Sequence, residues 1–118
     1  QKTIDERPEV VQCCVDASTK GWYNYLYGDN TAANELIKKD NPDMSDEQIA
    51  FSIEKLKEYG IVDSGDTEEL GIGAMTDARI VDFYQKMVDA GVMKPGIEIE
   101  KSFTLVFVNK GVGLELKK

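Results

Sequence analysis

The sequence predicts a mainly α-helical chain, with four capped helices and one short strand-like run. Three observations predict it. Apolar residues recur at helical spacing in four separate segments. Each segment opens on a residue that starts or caps helices: Pro8, Asn30, Ser45 and Thr76. Each closes on Gly28, Asn41-Pro42, Gly60 or Gly91, which are common helix stops. A length of 118 residues suits a single domain with one modest core.

Residues 1–7 are polar and read as a lead-in, with Asp5 or Glu6 available to favour the helix start at Pro8. The first helix is predicted over 8–27. Its inner stripe is Val11, Val15, Ser18, Trp22 and Leu26, widened by Val10, Cys14, Ala17 and Gly21. Glycine inside a helix costs about 1 kcal/mol against alanine, so close approach of another element at Gly21 is expected beside a core-filling Trp22. Gly28 is expected as a left-handed cap. Asn30 caps a short helix over 31–39, with Ala33, Leu36 and Ile37 inward. Ser45 and Gln48 fit a capping box that opens a third helix over 46–59, with Ile49, Ser52, Ile53 and Leu56 inward. Residues 63–75 are an acidic, glycine-rich loop. Thr76 then caps a fourth helix over 77–90, with Ile80, Phe83, Tyr84, Met87 and Val88 inward. The run FTLVFV, 103–108, has strand character, and the tail after it reads as loosely ordered.

Composition excludes several classes of function. The net charge of −8 opposes binding to phosphate backbones or anionic lipid, so neither a nucleic-acid partner nor membrane insertion is expected. No apolar run approaches the roughly 20 residues that span a bilayer. The chain has no histidine, which removes Ser-His-Asp and Cys-His catalysis and most transition-metal sites. Gly71-Ile72-Gly73 lacks the third glycine and the preceding strand of a dinucleotide fingerprint. No catalytic residue, metal ligand or cofactor site is assigned. Cys13 and Cys14 are adjacent, too close for an unstrained mutual disulfide, and one of them is expected to be buried as a small hydrophobe.

Two groups remain as candidates for binding. Trp22, Tyr23 and Tyr25 can stack on a ligand, although their helical spacing favours packing. The helix start at Met75 to Arg79 can meet an anion. The plainer reading is a Thr76 cap with Arg79 in a surface ion pair.

The order of parts adds a resemblance. Arg7-Pro8-Glu9-Val10-Val11 opens a helix, followed by Ala17-Ser18, Lys20-Gly21-Trp22, Asn30, Ala32-Ala33 and Asn41-Pro42. Then come Gly73-Ala74-Met75-Thr76 with Arg79, Ala90-Gly91-Val92 and Phe103-Thr104. Over nearly the whole chain this resembles the C-terminal part of NitT/TauT-type periplasmic substrate-binding proteins of ABC importers. That group includes binding proteins for thiamine pyrimidine precursors, alkanesulfonates, taurine and nitrate. The resemblance implies a two-lobe α/β fold that closes on a small molecule by hinge motion, without catalysis. It implies an ABC permease as partner and an extracytoplasmic location. Fold-related fungal enzymes that make the thiamine pyrimidine draw on histidine, which is absent here. The Cys13-Cys14 pair departs from the pattern.

On this reading the chain is a fragment whose ligand-binding residues mostly lie elsewhere, so none is assigned. Apolar surface is then expected to be exposed, with self-association through pairing of 103–108 between copies. The alternative is a stand-alone acidic helical module that docks a protein partner.

Overall fold

The computed structural model describes residues 1–117. In chain order the helices are α1 (Lys2–Glu6), α2 (Pro8–Tyr27), α3 (Thr31–Asp40), α4 (Asp46–Glu58), α5 (Thr67–Leu70) and α6 (Asp77–Asp89). Single 3-10 turns cover Ile99–Lys101 and Leu114–Leu116. The mainly α-helical class therefore holds, and the four long helices lie within a residue of their expected bounds. The Ser45 and Thr76 side-chain caps form as expected, while no return bond from the Gln48 side chain to Ser45 occurs among the described residues. Ser45 Oγ accepts from the Gln48 N–H at 3.2 Å, and Thr76 Oγ1 accepts from the Arg79 N–H at 3.3 Å.

Several expectations are corrected. The lead-in contains α1, and Arg7 occupies the cap position of α2 without a side-chain cap from Asp5 or Glu6. Gly28 is extended (φ −109°, ψ −153°) and not left-handed. Its N–H donates to the Asn24 carbonyl, and Asn24 Nδ2 donates to the Asp29 carbonyl, so side-chain bonding makes the turn. Asn30 does not cap α3. Asp29 Oδ1 accepts from the Thr31 N–H instead, while Asn30 Nδ2 donates to the Tyr25 carbonyl.

The expected strand at 103–108 is absent, and no strand occurs among the described residues. The segment turns instead, with the Val108 N–H donating to the Leu105 carbonyl and the Val106 N–H to Thr104 Oγ1. One run of β-formers without a neighbouring strand has no ladder to join. Its only buried residue is Phe107, and Val106 is exposed.

The tail is not loose. Residues 107–117 form a strap across α2 and the loop before α6. Gln12 Nε2 donates to the Phe107 carbonyl at 3.1 Å, and the Gly111 N–H donates to the Leu70 carbonyl at 3.0 Å. Gly113, at φ +83°, lies against the Tyr23 ring where a side chain would collide. The strap is thus held by backbone and amide groups rather than by apolar burial alone.

The core is small. Tyr23, Leu26 and Ile72 are buried together, with Tyr25, Tyr27, Leu56, Val62 and Leu114 packed around them. The buried stripe of α2 is therefore Thr19, Tyr23 and Leu26, about one residue out of phase with the expected stripe. Trp22 does not fill the core; it is 43% exposed. Nothing lies within 4 Å of a side-chain position at Gly21, so no element approaches it. α6 buries no residue, and Phe83 on its expected inner face is exposed. Both Cys13 and Cys14 are exposed, since the strap covers the Gln12 side of α2.

Candidate functional site

The sequence candidates separate in space. Tyr23 belongs to the core: its hydroxyl accepts from the Ile72 N–H at 3.2 Å, which fixes the loop before α6 to α2. Trp22 lies on the other side of the helix, and Tyr25, which also packs against the core, reaches it. Their rings meet edge to face, 6.1 Å between centroids and 87° between planes. They form one wall of an open cleft of about 590 Å³. Ser18 and Gly21 of α2 lie beside them, and Ala33, Leu36 and Ile37 of α3 with Leu56 of α4 complete the lining. No Asp, Glu, Lys or Arg lines this cleft. Small residues make its floor and aromatic or branched ones its walls, so it suits apolar contact.

The helix start at 75–79 is partly satisfied within the chain. Asn109 brackets Met75, with Oδ1 accepting from its N–H at 3.1 Å and Nδ2 donating to its carbonyl at 2.6 Å. Thr76 takes the Arg79 N–H. Two of the donors at this end, the Met75 and Arg79 N–H groups, are thus engaged within the chain, and the Asp77 carboxylate in the first turn opposes an anion there. Arg79 is exposed and makes no ion pair among the described residues, which corrects the expected surface pair. The segment acts as scaffold: it ties α6 to the strap.

Sequence reasoning missed the most structured polar cluster. Asp63 is buried, with 6% of its side chain exposed. Its carboxylate accepts from the Tyr27 hydroxyl and from Lys117 Nζ, the latter at 3.0 Å. Lys57 and Lys117 lie over the Tyr27 ring at 5.3 and 5.9 Å, within cation–π range. Burial alone would raise the Asp63 pKa, but hydrogen bonds from Tyr27 and Lys117 hold it below the usual carboxylate range. Burial and the bond to Asp63 push the Tyr27 hydroxyl up, and the bond to Asp63 raises Lys117. All three groups engage one another, and the cluster latches the strap to α2. Only the acidic, glycine-rich character of 63–75 hinted at it.

Among the described residues no group of three or more His, Cys, Asp or Glu side chains is arranged to hold a metal ion. Among the described residues no helix is long and apolar enough to cross a membrane. Comparison with models of protein families, with curated proteins and with solved structures finds no match.

Proposed function

We propose that this chain is the C-terminal helical part of an extracytoplasmic solute-binding protein, which captures a small molecule by hinge closure and delivers it to an ABC permease. One observation carries the reading: the chain buries less of itself than a folded monomer of its mass. Its accessible surface is 8364 Å², about 1,900 Å² above the roughly 6,400 Å² expected for a folded monomer of 13.2 kDa. Its radius of gyration is 17.0 Å, where a compact chain of this length has about 13.5 Å. Exposed Trp22, Leu36, Phe51 and Phe83 supply apolar surface that a larger body would cover. The ordered resemblance from Arg7 to Phe103 supports the kind of body: two α/β lobes onto which these helices pack. The role of this part is then support, and the ligand contacts belong to the rest of the protein.

A thermal-shift screen of the polypeptide encoded by the whole gene tests this. Thiamine pyrimidine precursors, alkanesulfonates, taurine and nitrate are the ligand classes to screen. One of them should raise the melting temperature in a concentration-dependent way, because a ligand that binds only the folded state stabilises it. No shift with any class, in a protein that melts cooperatively, refutes the reading. The open cleft on α2 also supports a second reading, a stand-alone helical module that docks a protein partner. A coding sequence with a start codon directly before Gln1 would favour that second reading.

A further inference from the structure

We infer that residues 77–106 form an arm that opens and re-forms as one unit while the core on α2 stays folded, with its boundary at the clasp between Met75 and Asn109. This inference does not rest on the solute-binding reading.

The arm keeps its bonds to itself. Tyr84 Oη donates to the Lys94 carbonyl at 3.1 Å and accepts the Ile97 N–H at 3.0 Å, which folds the returning chain onto α6. The Val92 and Met93 N–H groups both donate to the Met87 carbonyl. Lys86 pairs with Asp82, and Lys101 with Glu98. Among the described residues, no hydrogen bond or ion pair joins 77–106 to the chain before Thr76 or beyond Val108.

Burial divides at the same place. No residue of 77–106 is buried, whereas Phe107 is, and the cluster around Tyr23, Leu26 and Ile72 draws no member from the arm. α6 spans 13 residues, a length at which an isolated helix is marginal in water. Its order therefore rests on the Tyr84 ties and on closure of the neck. There Asn109 brackets Met75 with two bonds, at 3.1 and 2.6 Å. The strap is held separately, by Gln12 at the Phe107 carbonyl and by the Leu70 carbonyl at Gly111. Opening the arm breaks none of these ties. Contiguous segments with few buried contacts open at lower free energy than the core.

Hydrogen exchange of the 118-residue chain in sub-denaturing urea, read by mass spectrometry of its fragments, tests this. Amides of 80–93 should open together, at least about tenfold more often than those of 19–27 in α2, with a weaker urea dependence because less surface is exposed. Tyr84→Phe removes the hydroxyl that joins Lys94 to Ile97. It should speed exchange across 80–93 about fivefold and leave 19–27 unchanged. Asp63→Ala, which acts on the core side, should speed 19–27 and leave 80–93 unchanged. A common opening rate and urea dependence for the two segments overturns the inference. So do amides of 80–93 that show no protection or open one by one. A Tyr84→Phe chain in which 80–93 keep the wild-type rate overturns it too, as does either variant that speeds both segments equally.

Discussion

Replacing Gly113 with alanine should destabilise the chain by about 3 kcal/mol, from two sources. Gly113 has φ +83°, in the left-handed region, where an alanine costs about 1–2 kcal/mol. The added methyl would also lie 2.6 Å from Tyr23 Cδ2. That ring cannot swing away cheaply. Tyr23 is 1% exposed, and its hydroxyl accepts the Ile72 N–H that fixes the loop before α6. Forcing extra volume into such a site costs about 1–3 kcal/mol. The strap must lift or the ring must give up its hydrogen bond, and either response loosens the largest buried cluster of the chain.

Urea denaturation followed by circular dichroism reads the effect. For a chain this size the slope is about 1–3 kcal/mol per molar, so the midpoint should fall by about 1–3 M. A double-mutant cycle separates the sources. Tyr23→Leu lowers stability by itself but removes the ring edge, so Gly113→Ala added to it should cost less than in the wild type. If Gly113→Ala changes stability by under about 0.5 kcal/mol, the strap does not pack on Tyr23 as described. If the two changes are strictly additive, backbone strain acts alone and the contact contributes nothing.

The other predictions concern polar ties. Asp63→Ala should cost about 2 kcal/mol by stranding the Tyr27 hydroxyl and Lys117, and amide exchange in 111–117 should accelerate more than in α4. Because the folded Asp63 pKa lies below its ordinary value, its contribution is complete above about pH 4 and falls as pH drops through the folded value. Asp63→Asn should therefore flatten the acid limb of a stability–pH curve, and an unchanged limb would refute the latch. Asn109→Ala removes both bonds to Met75 and leaves alanine at φ +62°, so a loss of about 2 kcal/mol is expected in chemical denaturation.

Local signals were legible in the sequence, and long-range ones were not. Pro8, Ser45, Thr76, Gly60 and Gly91 act within a turn of themselves, so helix bounds follow from neighbours alone. The inner side of α2 depends on a partner 49 residues away, the Ile72 N–H, which donates to the hydroxyl of the buried Tyr23, while the bulkier Trp22 stays outside. Asp63 meets Tyr27 across 36 residues and Lys117 across 54, and no local pattern marks such a meeting. FTLVFV has the residues of a strand, but strand formation needs a second strand that the described residues do not supply.

The phase of α2 bears on what the helix is for. Its apolar residues wrap two sides: Thr19, Tyr23 and Leu26 are buried by the strap and the Ile72 loop, while Ser18, Trp22 and Tyr25 line an open cleft. Gly21 lies on the open side, where it weakens the helix by about 1 kcal/mol and nothing in the chain uses the space it leaves. The sign of Gly21→Ala therefore depends on what covers it. In an isolated monomer the substitution should stabilise the chain by about 1 kcal/mol, because the new methyl meets no atom and the helix gains propensity. In an assembly whose partner seats against Gly21, the same methyl intrudes on the contact, and the gain should shrink or reverse as protein concentration rises. Unfolding of wild type and Gly21→Ala at low and high concentration decides between them. A constant gain at every concentration would mean that no second copy uses the opening beside Trp22.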